Sequence, residues 1–167
     1  GTLNANTSAI LSAGTGGISQ TAGLIQGTTI DLSATGGGVS QSGGSLIAST
    51  ILQSTSGVTG TVSLTGSSNT IASIGSIAVT SGDFVAKSTG STSVTGKLTA
   101  ANVTLTVPTI GVTGSIGGST LTSLIGTLGG VTIGTGGLVT SPTVSVNGGA
   151  GGVAISGTGT VGQAGGI

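Results

Sequence analysis

The most regular feature of this chain is an alternation of aliphatic with small or polar residues over short stretches. It is clearest over residues 103–107 (VTLTV), and shorter examples occur at 62–64, 131–133, 144–146 and 153–155. A period of two places successive side chains on opposite faces of an extended strand, whereas an amphipathic helix needs a period near 3.6. The pattern therefore predicts short, half-buried β-strands.

Between these stretches lie pairs and triplets of glycine, which interrupt strands and favour turns. They occur at residues 16–17, 36–38, 43–44, 117–118, 129–130, 136–137 and 148–149. Glycine and β-branched residues are poor helix formers, and no capping pattern precedes an apolar face. The chain is therefore predicted to be all-β, with turns at these glycines.

The strands and turns recur at a longer period. Residues 17–21 (GISQT) and 38–42 (GVSQS) have nearly the same motif at equivalent positions in two successive repeats. Hydrophobic strand starts continue this series at gaps of 21 to 24 residues: Ile18, Val39, Val62, Phe84, Val107, Val131 and Val153. A degenerate period of this length is typical of a β-solenoid. We expect residues 1–167 to form a single parallel β-helix segment of about 7 coils of roughly 22 residues.

Composition favours this fold over a β-sandwich, which would fit the turn spacing nearly as well. Gly, Ser and Thr make up 93 of the 167 residues, and Phe84 is the only aromatic residue. A sandwich needs bulky residues between its sheets, whereas a core of small and branched aliphatics has to be thin. The mean hydropathy of +0.59 and the zero net charge also argue against a disordered linker.

The same composition excludes most chemistry. His and Cys are absent, so no imidazole or thiol can serve as base, nucleophile or soft metal ligand. We expect no enzyme activity, no catalytic, cofactor-binding or metal residues and no cofactor. The two lysines cannot form a basic patch, which argues against a nucleic-acid partner. Small and polar residues interrupt every apolar run, so the chain is not expected to span a membrane.

The four charged side chains are the remaining candidates for chemistry, since many β-helices act on polysaccharides. Asp31 and Asp83 are separated by about 2.4 coils and should not meet on one face as paired catalytic carboxylates do. We expect both, with Lys87 and Lys97, to lie in solvent-exposed turns, with a weak pair between Asp83 and Lys87. The GxGxxG match at 157–162 lacks a βαβ context and is attributed to chance.

An ice-binding solenoid is the main alternative function, because stacked Thr-x-Thr pairs on a flat face can order water. Such pairs occur at Thr59/Thr61, Thr104/Thr106, Thr120/Thr122 and Thr158/Thr160. Their separations do not follow the coil period, which an aligned array requires. A carbohydrate-active β-helix is the third and weakest alternative.

Two longer segments resemble a known group of proteins. Residues 62–84 (VSLTGSSNTIASIGSIAVTSGDF) and 93–105 (SVTGKLTAANVTL) resemble the repeats of filamentous haemagglutinin-like adhesins, which are large bacterial exoproteins. The words at 17–23 and 38–44 are similar in style to coil turns of that family. The resemblance implies a right-handed parallel β-helix, exported by two-partner secretion or as an autotransporter passenger, with a role in attachment.

Together these features predict a structural segment of a secreted or cell-surface bacterial fibre or adhesin. The segment would belong to a longer repeat array or a self-stacking filament. Its expected partners are copies of itself stacked end to end or neighbouring repeats, together with host or abiotic surfaces and glycans. Both solenoid ends are expected to be adhesive, because no charged gatekeeper lies near either end.

Overall fold

A computed structural model describes residues 1–163 of the chain. It contains 18 β-strands and one short 3-10 helix, η1 (Gly149–Gly151). The strands are β1 (Thr2–Asn4), β2 (Ser8–Ala13), β3 (Ile18–Gln20), β4 (Leu24–Ala34), β5 (Val39–Gln41), β6 (Ser45–Gln53), β7 (Val62–Leu64), β8 (Thr70–Ile71), β9 (Ser73–Ile74), β10 (Ile77–Ala78), β11 (Phe84–Lys87), β12 (Thr92–Val94), β13 (Lys97–Val112), β14 (Ser115–Ile133), β15 (Leu138–Ser141), β16 (Thr143–Asn147), β17 (Val153–Ile155) and β18 (Thr160–Gln163).

Strand pairing runs along the axis of a β-solenoid, and every pairing among the described residues is parallel. The strands stack in four columns. Column 1 contains β1, β4, β6 and β8; column 2 contains β2, β4, β6, β9, β12, β13, β14 and β17. Column 3 contains β10, β13, β14, β15 and β18; column 4 contains β3, β5, β7, β11, β13, β14 and β16.

The longest ladder runs through column 2 and contains one residue from each coil, so its length gives the number of coils. Each member pairs with the equivalent residue of the next coil: Ala9, Ile30, Leu52, Ile74, Val94, Val112, Ile133 and Ile155. The spacing along the chain varies from coil to coil and is shortest between Val94 and Val112. The predicted parallel β-helix is therefore confirmed, with about 8 coils of about 21 residues in place of the expected 7 of 22.

The predicted series of strand starts holds over its first four members and then changes ladder. Ile18, Val39, Val62 and Phe84 pair in succession in column 4, but Phe84 pairs next with Val103. The coil between these two residues is shorter than the assumed period. The predicted series therefore passed Val103 and placed its next strand start at Val107. Val131 and Val153 do pair with each other, but in column 2.

Alternation within each strand explains the core. Inward residues of all four columns form one apolar cluster in which aliphatic side chains stack along the axis, with Phe84 fully buried among them. Burying one such Leu, Ile or Phe side chain contributes roughly 1.5–3 kcal/mol. The expected core of small and branched aliphatics is confirmed.

Glycine allows the chain to turn corners while neighbouring coils stay in contact. Gly17 has a φ of 69°, and a Cβ there would overlap the carbonyl oxygen of Gly38 in the next coil. The predicted turns at 117–118 and 129–130 are wrong in one respect, because both lie inside β14. The ladder hydrogen bonds continue around these corners, and shifts in the β13–β14 register absorb the bends.

Candidate functional site

The outer surface of column 4 carries a nearly continuous row of hydroxyl groups. Between the inward residues, each coil presents one outward residue that pairs with its equivalent in the next coil: Ser19, Ser40, Ser63, Val85, Thr104, Ser123 and Ser145. All of them except Val85 are Ser or Thr, and we call this row the hydroxyl column. Adjacent members stand one strand spacing apart, about 4.8 Å. The column is thus a neutral, regularly spaced surface of hydrogen-bonding groups.

The four Thr-x-Thr pairs do not form such a row. Thr104 pairs with Ser123 in the next coil, and Thr106 pairs with Ile125. Thr122 points inward and is fully buried, between Val103 and Val144 of its ladder. The Thr-x-Thr pairs therefore do not align from coil to coil. The regular row of outward hydroxyl groups comes mainly from serine.

Asp31 does not lie in an exposed turn as expected. It lies within β4 and is 7% exposed. Gln53 Nε2 donates to Asp31 Oδ2 at 3.2 Å, the Thr55 hydroxyl donates to the same oxygen, and the Thr55 N–H donates to Oδ1 at 3.1 Å. Ser33 Oγ also donates to Oδ1, at 3.3 Å. The carboxylate thus joins two successive coils, which accounts for its burial.

The environment of Asp31 contains opposing influences on its pKa. Burial by itself raises the pKa of this carboxyl group, because it disfavours the charged form. Hydrogen bonds from the Thr55 hydroxyl, the Thr55 N–H, Gln53 and Ser33 lower it, and together they outweigh burial. The pKa of Asp31 is therefore held below its ordinary value, and the group is an ionised structural link at neutral pH.

The other three charged side chains lie on coils other than that of Asp31. Asp83 is half-buried in the loop before β11, and its Oδ1 accepts hydrogen bonds from Asn102 Nδ2 at 2.8 Å and the Asn102 N–H at 3.2 Å. Its partner is thus Asn102 rather than the expected Lys87. Lys87 and Lys97 are exposed as predicted, although they lie at a strand end and a strand start.

Each carboxylate has its own structural partners. Asp31 accepts hydrogen bonds from Gln53 and Thr55, and Asp83 accepts them from Asn102. Within residues 1–163, no three Asp, Glu, His or Cys side chains come together as a metal ligand set. The GxGxxG match lies in a turn and β18 of the last coil, away from any strand-to-helix junction. No helix within the described part of the chain is long and apolar enough to cross a bilayer.

A buried amide cluster occupies the interior next to column 1, and sequence reasoning missed it. Gln41 Nε2 donates to Gln20 Oε1 at 3.0 Å and to Asn69 Oδ1 at 2.8 Å, and Asn69 Nδ2 donates to Gln41 Oε1 at 2.6 Å. Backbone groups complete the cluster: Gln20 Nε2 donates to the carbonyl of Ser45, and the Leu46 N–H donates to Asn69 Oδ1.

The sequence signal for this cluster was the repeated motif at residues 17–21 and 38–42. Gln20 and Gln41 each come two positions after the strand starts Ile18 and Val39, where alternation calls for an inward residue. In the following coils the same ladder position is aliphatic, beginning with Leu64 and Ala86. Two glutamines at inward positions one coil apart therefore indicate a stacked internal amide pair.

A shallow groove of about 530 Å³ follows the corner after column 3 across several coils. Its lining is mostly small residues, among them Ala100, Gly118 and Ser141. Ser141 Oγ donates to the carbonyl of Gly118 at 2.8 Å, so that hydroxyl is already engaged. The groove follows from small side chains at a corner, and its described lining presents no unpaired buried polar side chain.

The first and last coils of residues 1–163 both expose apolar side chains. Ile155 is 56% exposed and Val153 is 49% exposed, although their ladder partners Ile133 and Val131 are buried. At the other end Ile10 and Leu3 are 71% and 46% exposed. The final coil thus presents side chains of a core ladder to solvent where a further coil would cover them.

Comparison with family models, with curated proteins and with solved structures finds no match for this chain.

Proposed function

We propose that this chain is a stacking structural segment of a secreted or cell-surface bacterial fibre or adhesin, without catalytic function. The observation that carries the proposal is the last described coil, where Val153 and Ile155 are exposed although the residues that they pair with in the preceding coil are buried. Another coil, from adjoining chain or from another copy, would bury these side chains at about 25 cal/mol per Å² of apolar surface.

The absence of charge at both ends supports stacking. All four charged side chains lie between residues 31 and 97, so the first and last coils of the described chain carry none. Exposed strand edges normally carry charges, prolines or bulges that prevent edge-to-edge pairing. Neither β2 and β3 at one end nor β16 and β17 at the other contain a charge or a proline.

The columns also provide a geometry for joining copies. Column 2 runs the full length of the described solenoid, from β2 in the first coil to β17 in the last. In a head-to-tail pair, β17 of one copy would pair in parallel with β2 of the next. Such heterologous contacts do not close and therefore generate open filaments.

Attachment would use the sides of the fibre. The hydroxyl column offers neutral hydrogen-bonding groups at regular spacing, which suits contact with glycans or with host and abiotic surfaces. The structural role does not depend on one binding residue, because the same hydroxyl pattern repeats from coil to coil. Extracellular location is part of this proposal and is supported by the resemblance to filamentous haemagglutinin-like repeats.

Introducing a charge at the open end tests the proposal. We expect the wild-type chain to form elongated particles whose length increases with protein concentration. Ile155→Lys should suppress this growth, because a charge at a core ladder position opposes coverage by another coil. Leu128→Lys is the matched control, since Leu128 is 68% exposed but belongs to β14, a strand with which the last coil already pairs. Equal growth of all three proteins by light scattering and negative-stain microscopy would contradict end-to-end stacking.

An ice-binding role is the second candidate, and the hydroxyl column is the observation that favours it. A straight row of hydroxyls can order water at a regular spacing even though the Thr-x-Thr pairs are scattered. This role predicts thermal hysteresis and faceted ice crystals at micromolar protein, with loss of both in Ser123→Lys. Ice growth identical to that in buffer would remove this candidate.

A further inference from the structure

Asn147 ends β16 in the last coil and is followed directly by Gly148. Its side chain is exposed, and its Oδ1 accepts a hydrogen bond of 2.9 Å from the Gly149 N–H. Gly148 directly precedes the short helix η1, and its carbonyl accepts hydrogen bonds from the Gly151 and Gly152 N–H groups. From this arrangement we infer that Asn147 is a site of spontaneous deamidation through a succinimide.

The residue after Asn147 has to be glycine for a structural reason. A Cβ at position 148 would overlap the backbone of Gly152, so the turn accepts no side chain there. The backbone nitrogen of Gly148 is consequently unshielded by a Cβ on its own residue. The other four asparagines, Asn4, Asn6, Asn69 and Asn102, all precede residues that carry a Cβ.

The hydrogen bond from Gly149 favours the reaction electronically. When the Gly148 nitrogen attacks Asn147 Cγ, negative charge develops on Oδ1, and the Gly149 N–H already donates to this atom. A donor aimed at a developing oxyanion stabilises the transition state. The exposed position of the side chain also lets ammonia leave and water enter.

The chemical balance needs only water. The Gly148 N–H loses its proton to water or hydroxide, the nitrogen forms a bond to Asn147 Cγ, and the Cγ–Nδ2 bond breaks with release of ammonia. Water then opens the five-membered succinimide at either carbonyl, which gives aspartate or isoaspartate. The net reaction consumes one water and produces one carboxylate and one ammonium ion.

Asn102 and Asn69 are internal controls within the same chain. Asn102 is fixed by two hydrogen bonds to Asp83, and the branched Val103 follows it. Asn69 is fully buried, and both atoms of its amide are engaged in the internal cluster. Neither combines exposure with an unhindered following nitrogen, so the reaction is expected to select Asn147.

The product has a consequence that rests on the proposed function. A carboxylate at residue 147 places a negative charge on the last described coil, next to the end at which another copy would stack. Converted protein is therefore expected to extend filaments more slowly than fresh protein. This effect depends on stacking, whereas the conversion itself does not.

The test is to incubate native wild-type protein at mildly alkaline pH and to follow its intact mass and its peptides. We expect the mass increase of amide-to-acid conversion, with aspartate and isoaspartate at residue 147 while residue 102 remains asparagine. Asn147→Gln should lose the mass increase, because ring closure then requires a larger ring, and Asn102→Gln should retain it.

Native protein that keeps Asn147 intact, over an interval in which the denatured chain is converted there, would overturn the inference. Conversion at Asn102 and Asn147 at equal rates would also overturn it. Conversion at Asn147 in protein that never forms filaments would leave this inference standing and count against the proposed function alone.

Discussion

Gln41 and Asn69 come from different coils and exchange two side-chain hydrogen bonds inside the solenoid, of 2.8 and 2.6 Å. Each amide serves as donor and acceptor for the other, and Asn69 Oδ1 also accepts the Leu46 N–H. Side chains from two coils thereby satisfy a polar position in an otherwise aliphatic interior. A satisfied buried network favours one register of the coils over slipped alternatives.

Asn69→Ala should strongly destabilise the protein. The substitution removes one partner of the Gln41 amide, which keeps Gln20, and it removes the side-chain acceptor of the Leu46 N–H. A buried group left unsatisfied costs about 1–3 kcal/mol. Asn6→Ala is the matched control because Asn6 is exposed in the first coil. Urea unfolding followed by circular dichroism measures both free energies of unfolding. Equal losses in the two variants would show that the internal cluster adds no stability.

Asp31 should make stability depend on pH in a defined direction. Its pKa is lowered in the folded state, so the unfolded chain binds the proton more readily. Its contribution is therefore fully present above the unfolded pKa of about 3.9 and is lost as pH falls through the lower folded pKa. Relative to wild type, Asp31→Asn should lower the urea midpoint at neutral pH, and the gap should close in strong acid.

Asp83→Asn controls for the change in net charge, because it removes the same charge from a half-buried loop. If wild type and Asp31→Asn differed by the same amount at neutral and strongly acid pH, the ionised link between coils would be contradicted.

The ladder in column 2 allows one substitution to be compared at two levels of burial. Ile74 is fully buried in the middle of the solenoid, whereas Ile155 is 56% exposed at its end. Ile74→Ala should cost about 2–5 kcal/mol, as large-to-small changes in a packed core do. Ile155→Ala in unassembled protein should have a much smaller effect. Similar unfolding free energies for the two variants would contradict the assignment of Ile155 to an uncovered end.

Sequence period predicts the architecture here because stacking makes each coil repeat the chemistry of its neighbours. Ile18 and Val39 are recognisable as equivalents, since they stand in nearly identical words and do pair. The prediction loses register after Phe84, where the next coil is shorter than the assumed period. With aliphatics so common, Val107 fitted that period better than the true partner Val103, and only backbone pairing identifies the partner.

The polar positions were harder to predict, for a different reason. A lone Asp in a Ser/Thr/Gly-rich chain is usually exposed, and that assumption misplaced Asp31. Its burial depends on donors from Gln53 and Thr55, which come from the next coil and become neighbours only through stacking. The same holds for Asn69, whose partner Gln41 is in another coil. Such sites follow from register, so they require the coil lengths that the sequence pattern left imprecise.

X-ray diffraction from aligned, concentrated wild-type protein tests the central claim of a stacking solenoid most directly. End-to-end stacking predicts thin filaments by negative-stain microscopy and a reflection near 4.8 Å, or about one parallel-strand spacing, along the filament axis. Compact single particles that do not grow with concentration and give no axial reflection near that spacing would contradict it.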